Sequence, residues 1–347
     1  MRLLILTKRI EGDAGRLINL SILDQAPIPS GSDSYTTLEN TRNLAILAED
    51  LGYKRYWFAE HHSTKGLAST APEIMMAHIA ASTNRIKVGS GGVLLPQYSP
   101  FKVAENFRQL EALHPGRIDL GVGRSPGGTA KTRLALTDGV NKSLNEFPRQ
   151  LKELSHYLTD SMPSGHEYAG IKAAPQTNTP PSLWLLGMGE NSAKKAAELG
   201  IGYVFGHFIK PDRGENTLKT YYELFKSTYY SSSPSAIIAL FVVCGETDEH
   251  AEELAQSQDL WLLRVEKGLD SRIPSPEEAR KYRYTASEKE RIETNRKRMI
   301  IGSPSTVKKK IDDLAELYET EEFMVLTNLH DPKERKNSYE RLAHLYL

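Results

Sequence analysis

From residue 18 onward the chain alternates two textures, and nothing else in it constrains the fold as strongly. Short β-rich runs stand at LINLSILD (17–24), RYWFAE (55–60), RIKVGSGGVLLP (85–96), RIDLGVG (117–123), SLWLLG (182–187), IGYVFG (201–206), SAIIALFVVCGE (235–246) and EEFMVLTN (321–328). Stretches with apolar residues at helical spacing separate them. One such stretch, 38–53, closes on Gly52, the residue type that follows many helix ends. Strands alternating with helices imply parallel pairing, because each crossover helix returns the chain to the same sheet. Eight such units predict an α/β fold, a (β/α)8 TIM barrel, formed by 18–347 as one domain. A doubly wound open sheet is the alternative, and the even strand count disfavours it. A charged helical insertion at about 246–300, broken by IPSPEE, reads as a lid between strand 7 and the last helices. Residues 1–17 fit no unit and read as a flexible extension.

Composition removes several function classes. Forty-four basic residues balance forty-four acidic ones, so no basic excess invites nucleic acid. A single cysteine, Cys244, excludes an intrachain disulfide and a cysteine-based metal site, and fits a reducing compartment. No apolar run approaches a membrane span, and the first residues lack the pattern of a secretory signal. The expectation is a soluble, cytoplasmic protein with no membrane partner.

Barrel active sites form at the C-terminal strand ends. Those ends carry Asp24-Gln25, Glu60-His61-His62, Gly89-Ser90-Gly91-Gly92, Gly121-Val122-Gly123-Arg124, Gly187-Met188-Gly189, Gly206-His207 and Thr327-Asn328. The glycines at 89–92 permit close backbone approach by something flat, or else mark a bulge at the barrel rim. In LLGMGENSAKKAAELG a strand runs into Gly-Met-Gly and then a helix start. Free N–H groups there suit a phosphate, with Ser192 adding a hydroxyl; equally, Asn191 or Ser192 caps the helix. GVGRSPGG fails as a dinucleotide fingerprint because Pro126 stands where the third glycine belongs. Arg124 reads as a rim cation. His61 and His62 point to opposite faces as strand neighbours, so a shared metal ion is disfavoured. A general acid–base histidine, or one held structurally by Glu60, remains.

The stretches AEHH, VGSGGVLLPQYSPFKVAENFRQLEALHPGRIDLGVGRSPGG, WLLGMGENSAKKAAELGIGYVFGHF and IIGSPSTVKKKIDDLAELYETEEFMVLTNLHDPKERKNSYERLA, in that order, resemble the bacterial luciferase-like flavin-dependent monooxygenases. The likeness covers about 18–347. It implies a barrel that takes reduced FMN from a separate flavin reductase and reacts it with O2. The resulting C4a-hydroperoxyflavin oxidises a small organic substrate. It implies that His61 is the catalytic histidine and that a cis peptide joins Gly91 and Gly92 beside the isoalloxazine. It places Arg124 near the phosphate, with Met188 and Gly189 (backbone N–H) and Ser192 (hydroxyl). It puts His207 on the substrate side, Glu105 in support of the rim, and two chains in a homodimer. Luciferase carries a cysteine where this chain has Gly123, so luminescence does not carry over. Two other readings keep the fold: an F420-dependent hydride-transfer enzyme, and a flavin-binding protein without turnover.

Overall fold

A computed structural model describes residues 17–125 and 127–347. The extension read at 1–17 therefore falls, but for Leu17, outside the described residues.

Among the described residues nine parallel strands form one sheet: β1 (Asn19–Asp24), β2 (Arg55–Phe58), β3 (Lys87–Leu94), β4 (Ile118–Gly123), β5 (Ser182–Gly187), β6 (Gly202–Gly206), β7 (Ala236–Cys244), β8 (Met299–Gly302) and β9 (Glu322–Leu326). The order β6-β5-β4-β3-β2-β1-β9-β7 closes on itself through a β6–β7 pairing. The eight strands of that ring are the eight read from the sequence, and the fold is a (β/α)8 barrel. The ninth, β8, sits where the sequence reading ends the insertion. Phe241 is in register with Leu326 on one side and Met299 on the other, so β8 lies along the β6 edge of β7, above the point where β6 stops. A nine-residue strand outgrows its neighbour, and the extra length is paired rather than left as an open edge.

Side chains alternate across each strand. Leu20, Ile22, Tyr56, Phe58, Leu120, Leu185, Phe205 and Phe323 pack outward against the helices that ring the barrel. Leu23, Trp57, Trp184, Val204, Ala239, Phe241, Met324 and Leu326 point inward. The inner cluster continues into the insertion through Trp261, Leu262 and Ile273. Helices at Asp248–Glu266, Pro276–Lys281 and Ala286–Arg296 occupy that region. No described helix is long and apolar enough to cross a membrane.

The barrel interior is layered. At the N-terminal strand ends the Arg55 guanidinium bonds Glu322 at 2.6 Å and Asp119 at 2.7 Å, and lies 4.7 Å from the ring centre of Trp184. Above this ionic floor the Trp57 indole donates to Asp119 at 3.1 Å and meets Trp184 edge-on. A Cβ on Gly89 would stand 2.4 Å from the Trp57 ring, and one on Gly121 would meet Ser90 O at 2.1 Å. Part of the glycine run thus makes room for a core tryptophan, which answers the sequence signal at Gly89 without any ligand.

Candidate active site

The C-terminal mouth lies over this layer. The alternation seen in β2 continues past its end: Trp57, Ala59 and His61 share the inner face, while Glu60 and His62 share the outer one. Glu60 accepts from Leu94 N at 2.9 Å and from Tyr98 Oη at 2.5 Å, and lies 2.7 Å from His62 Nε2. The structural histidine and the candidate catalytic one are therefore two different residues. Glu60 fixes His62; His61 faces the mouth.

His61 is oriented from the other side. Asn328 Nδ2 donates to Gln25 Oε1 at 2.7 Å, which turns the Gln25 NH2 toward His61 Nε2 at 3.3 Å. An amide nitrogen only donates, so Nε2 is the acceptor and the ring proton sits on Nδ1. Burial, reinforced by neighbouring His62, lowers the His61 pKa to about 4, so the ring is neutral at physiological pH. The same alternation sorts the strand-1 pair. Asp24 points outward, held by Arg335 at 2.7 Å and Thr41 at 3.2 Å and bonded by the Tyr56 hydroxyl. Gln25 alone reaches the mouth.

The Gly91–Gly92 peptide is cis. Its neighbours are Gly121 on β4, in register with Gly91, and Leu23 and Leu186 from within the barrel. Arg124, just past β4, is exposed and makes no ion pair among the described residues. The loop that follows it closes toward strand 2: Thr132 donates to Ser63 at 3.0 Å, and a Cβ on Gly127 would lie 4.0 Å from His62.

On the next strand, Gly189 is the N-cap of the helix Glu190–Leu199 and no side chain caps it. This corrects the expectation of an Asn191 or Ser192 cap. The Ser192 hydroxyl donates to Gly189 O at 2.7 Å and lies 3.0 Å from Tyr203 Oη. It folds over Gly187, where a Cβ would stand 2.1 Å away, and so braces the turn. The Arg213 guanidinium comes within 3.8 Å of a Cβ position on Gly189. Arg213 is exposed and, among the described residues, makes no ion pair. Two unpaired guanidiniums, Arg124 and Arg213, thus flank β5, and Arg213 stands beside the uncapped helix start. Glu190 brings one opposing carboxylate to the same end. This donor set fits a phosphate group. Met188, with an exposed side chain, covers the edge toward Gly206.

Two predicted residues lie elsewhere. His207 shares the outward face of β6 with Tyr203 and Phe205; its Nδ1 is 3.1 Å from Tyr318 Oη in the helix layer. Burial lowers its pKa to about 4. Strand alternation, counted from Val204, would have shown that it turns away from the mouth. Glu105 pairs with Lys102 on the helix Pro100–Leu113 at 3.8 Å. The sequence reading set Gln25 and Asn328 at strand ends without their pairing, and missed Tyr98 and Arg213, which sits seven residues beyond a strand end followed only as far as His207.

The insertion is tied down over this mouth. Ile273 N donates to Ile28 O at 2.9 Å, Ser30 N to Ile273 O at 2.8 Å, and Gly66 N to Ser271 Oγ at 3.0 Å. A Cβ on Gly66 would overlap Ser271 O, so only glycine allows this approach.

Comparison with known proteins follows the same outline. The sequence model of the luciferase-like monooxygenases matches residues 18–321. The uncharacterized protein YceB of Bacillus subtilis (strain 168) is 68% identical over 95% of this chain and 100% of its own length. The N-acetyl-S-alkylcysteine monooxygenase of the same organism is 37% identical, over 94% of this chain and 98% of its own. The structure of apo-MsnO8 superposes with a TM-score of 0.86 at 37% identity, covering 95% of this chain and 98% of that one. At the level of fold alone, the chain is similar to the oxygenating constituent of 3,6-diketocamphane monooxygenase from Pseudomonas putida in complex with FMN (TM-score 0.66, 19% identity, 94% of this chain and 97% of that one). It is also similar to an F420-dependent secondary alcohol dehydrogenase (TM-score 0.67, 16%, 95% and 99%). The chain belongs to the luciferase-like monooxygenase family.

Proposed function

We propose that this protein is a flavin-dependent monooxygenase that takes reduced FMN from a separate reductase and uses O2 to oxidise a small organic substrate. The observation that carries the reading is Arg213, without an ion pair among the described residues, beside the uncapped helix start, with the exposed Arg124 past the end of β4, the strand next to the one that carries the cis Gly91–Gly92 peptide. A ligand with a phosphate at one end and a flat ring at the other would use both features.

When bound, the reduced flavin supplies the electrons and the oxygen chemistry. The chain's own residues do the rest. Arg124, Arg213 and the N–H groups of the helix start hold the phosphate by charge-assisted bonds. The backbone at Gly91–Gly92 offers a surface without side chains to the ring. His61, neutral and with its proton on Nδ1, donates to an anionic oxygen at the mouth; Gln25 and Asn328 keep that tautomer. The segments 26–30, 64–68 and 271–274, knitted together, keep water out.

The relative named for N-acetyl-S-alkylcysteine supports a thioether as the first substrate to try. A homodimer belongs to the same proposal, with molecular mass by light scattering as its check. The test is anaerobic titration with reduced FMN, then admission of O2 with N-acetyl-S-alkylcysteines. Oxygenated product formed in step with O2 consumed supports the reading. Tight binding of F420 with hydride transfer and no need for O2 would replace it with the F420 alternative. Binding of FMN without turnover on any thioether or ketone of a substrate panel would leave a flavin carrier.

A further inference from the structure

β3 loses its regular support where it enters the mouth. Its pairing with β2 runs from Arg55 opposite Lys87 to Phe58 opposite Ser90 and ends there. Its pairing with β4 continues but slips register between Gly91 and Val93. Beyond Ser90 the backbone of β3 thus keeps β4 alone as its neighbouring strand, in a shifted register. A buried N–H that faces the vacated β2 side needs another acceptor.

Glu60 supplies it. Its Oε2 accepts from Leu94 N at 2.9 Å. Its Oε1 is held by two side chains, Tyr98 Oη at 2.5 Å and His62 Nε2 at 2.7 Å. A carboxylate only accepts, so both groups donate to it. Two donors on one oxygen fix the plane of the carboxylate and aim the other oxygen at Leu94. Glu60 is 5% exposed, so water competes little for these bonds. Burying a carboxylate costs desolvation that an apolar side chain would avoid. What it gains here is a fixed acceptor at a point where the sheet provides none.

We infer that Glu60 is a positioning residue: through the Leu94 N–H it holds the backbone of 91–94, and through that backbone it sets how the flavin ring lies at the mouth. The inference rests on the flavin reading above, in which Gly91 and Gly92 offer the surface for the ring. It gives Glu60 a task in the reaction without contact to substrate, cofactor or oxygen. His61 acts at the mouth, and Glu60 acts from behind the wall. Its effect falls on the ring, whereas that of Arg124 and Arg213 falls on the phosphate.

Glu60→Met, Glu60→Gln and Tyr98→Phe test this beside the natural chain. Methionine keeps the length of the side chain and removes the acceptor. Glutamine keeps a carbonyl for Leu94 N, with its NH2 turned to Tyr98 and His62. Phenylalanine leaves the Leu94 bond and releases one side of the carboxylate. Hydrogen exchange of the flavin-free chain, read by mass spectrometry over 91–97, should quicken about ten-fold in Glu60→Met and stay as it is in Glu60→Gln. Exchange over 87–90, where β2 still pairs, should not change. In titrations with FMN and with riboflavin, Glu60→Met should lose about ten-fold toward both, the scale of one hydrogen bond to a charged acceptor. Tyr98→Phe should lose less, again equally toward both, and Glu60→Gln should bind as the natural chain does. Should Glu60→Met not fold, the other two variants still decide. Flavin affinities unchanged in Tyr98→Phe or in a folded Glu60→Met would overturn the inference. So would exchange over 91–97 unmoved in Glu60→Met, a ten-fold loss in Glu60→Gln, or a loss confined to FMN. A natural chain that binds neither flavin would overturn the flavin reading itself, and this assignment with it.

Discussion

Glu60 holds His62 and leaves His61 alone: its Oε1 lies 2.7 Å from His62 Nε2, while the nearest polar partner of the His61 ring is Gln25, at 3.3 Å. Adjacent histidines at the end of a strand have been divided between two tasks by the pleat. One is locked into the wall, with Tyr98 and Leu94. The other is presented inward on a neutral ring.

That division predicts different outcomes for the two. His61→Ala should retain FMN affinity, because its partners are on the mouth rather than the phosphate side. Product formation should fall by roughly 10²-fold, the usual scale for loss of a positioned proton donor, and hydrogen peroxide should rise in its place. His62→Ala should instead lower thermal stability, since Glu60 then loses one of three partners in a buried position. Product and peroxide yields per O2, together with melting curves, check both.

At the floor, Arg55→Met should be severe. It would leave Asp119 and Glu322 buried without their shared cation, and removing one member of a buried ionic group costs about 3–5 kcal/mol. Denaturant unfolding of the purified variant measures it. Lys54 also bonds Glu322, at 2.7 Å, so the larger part of the loss should trace to Asp119. Adding Asp119→Asn to Arg55→Met should therefore restore part of the stability.

Gly89→Ala should destabilise by about 1–3 kcal/mol, the cost of overpacking a filled core, because the new methyl meets the Trp57 ring. Trp57→Phe in the same chain should relieve much of that loss. Gly31→Ala would meet no atom, though at a φ of +84°, and so reports backbone strain without a clash. Comparing the two by chemical denaturation separates packing from backbone cost.

Acid should destabilise the fold well above the carboxylate range. His61 and His207 both have native pKa values near 4, against an ordinary 6.5. Between these values the unfolded chain binds protons that the native chain refuses. Stability is therefore full above about pH 6.5 and falls as pH drops toward 4, by up to about 1.4 kcal/mol per pH unit for each histidine. Unfolding curves across that window should steepen accordingly, and His207→Phe should remove one histidine's share of the slope. A flat profile would mean that neither ring is held neutral by burial.

The barrel was legible because strands alternate with crossover helices, which implies a parallel sheet, and because their number, eight, favours a closed sheet over an open one. The strand Met299–Gly302 escaped because four residues at the end of a charged insertion carry no periodicity of their own. Its pairing depends on the surplus length of β7. At the site, the Glu60-His61-His62 cluster announced itself, and pleat alternation already implied its division. Gln25 and Asn328 were legible only as separate strand ends; their pairing was not, since they lie 303 residues apart and meet only because β1 and β9 are neighbours on closure. Glycine was the least readable signal. Gly89 serves Trp57, Gly187 serves Ser192, and Gly66 serves Ser271, three internal approaches that local sequence does not distinguish from a ligand's.

The central claim is that the ends of β2 to β6 hold one ring with a phosphate tail. Parallel titrations with FMN and with riboflavin, which lacks the phosphate, test it most directly, in the natural chain and in Arg124→Met and Arg213→Met. The account predicts that FMN binds more tightly than riboflavin, and that each arginine variant loses about ten-fold toward FMN, or ~1.4 kcal/mol, with no change toward riboflavin. Equal affinity for the two flavins, or arginine variants that bind FMN as the natural chain does, would contradict it.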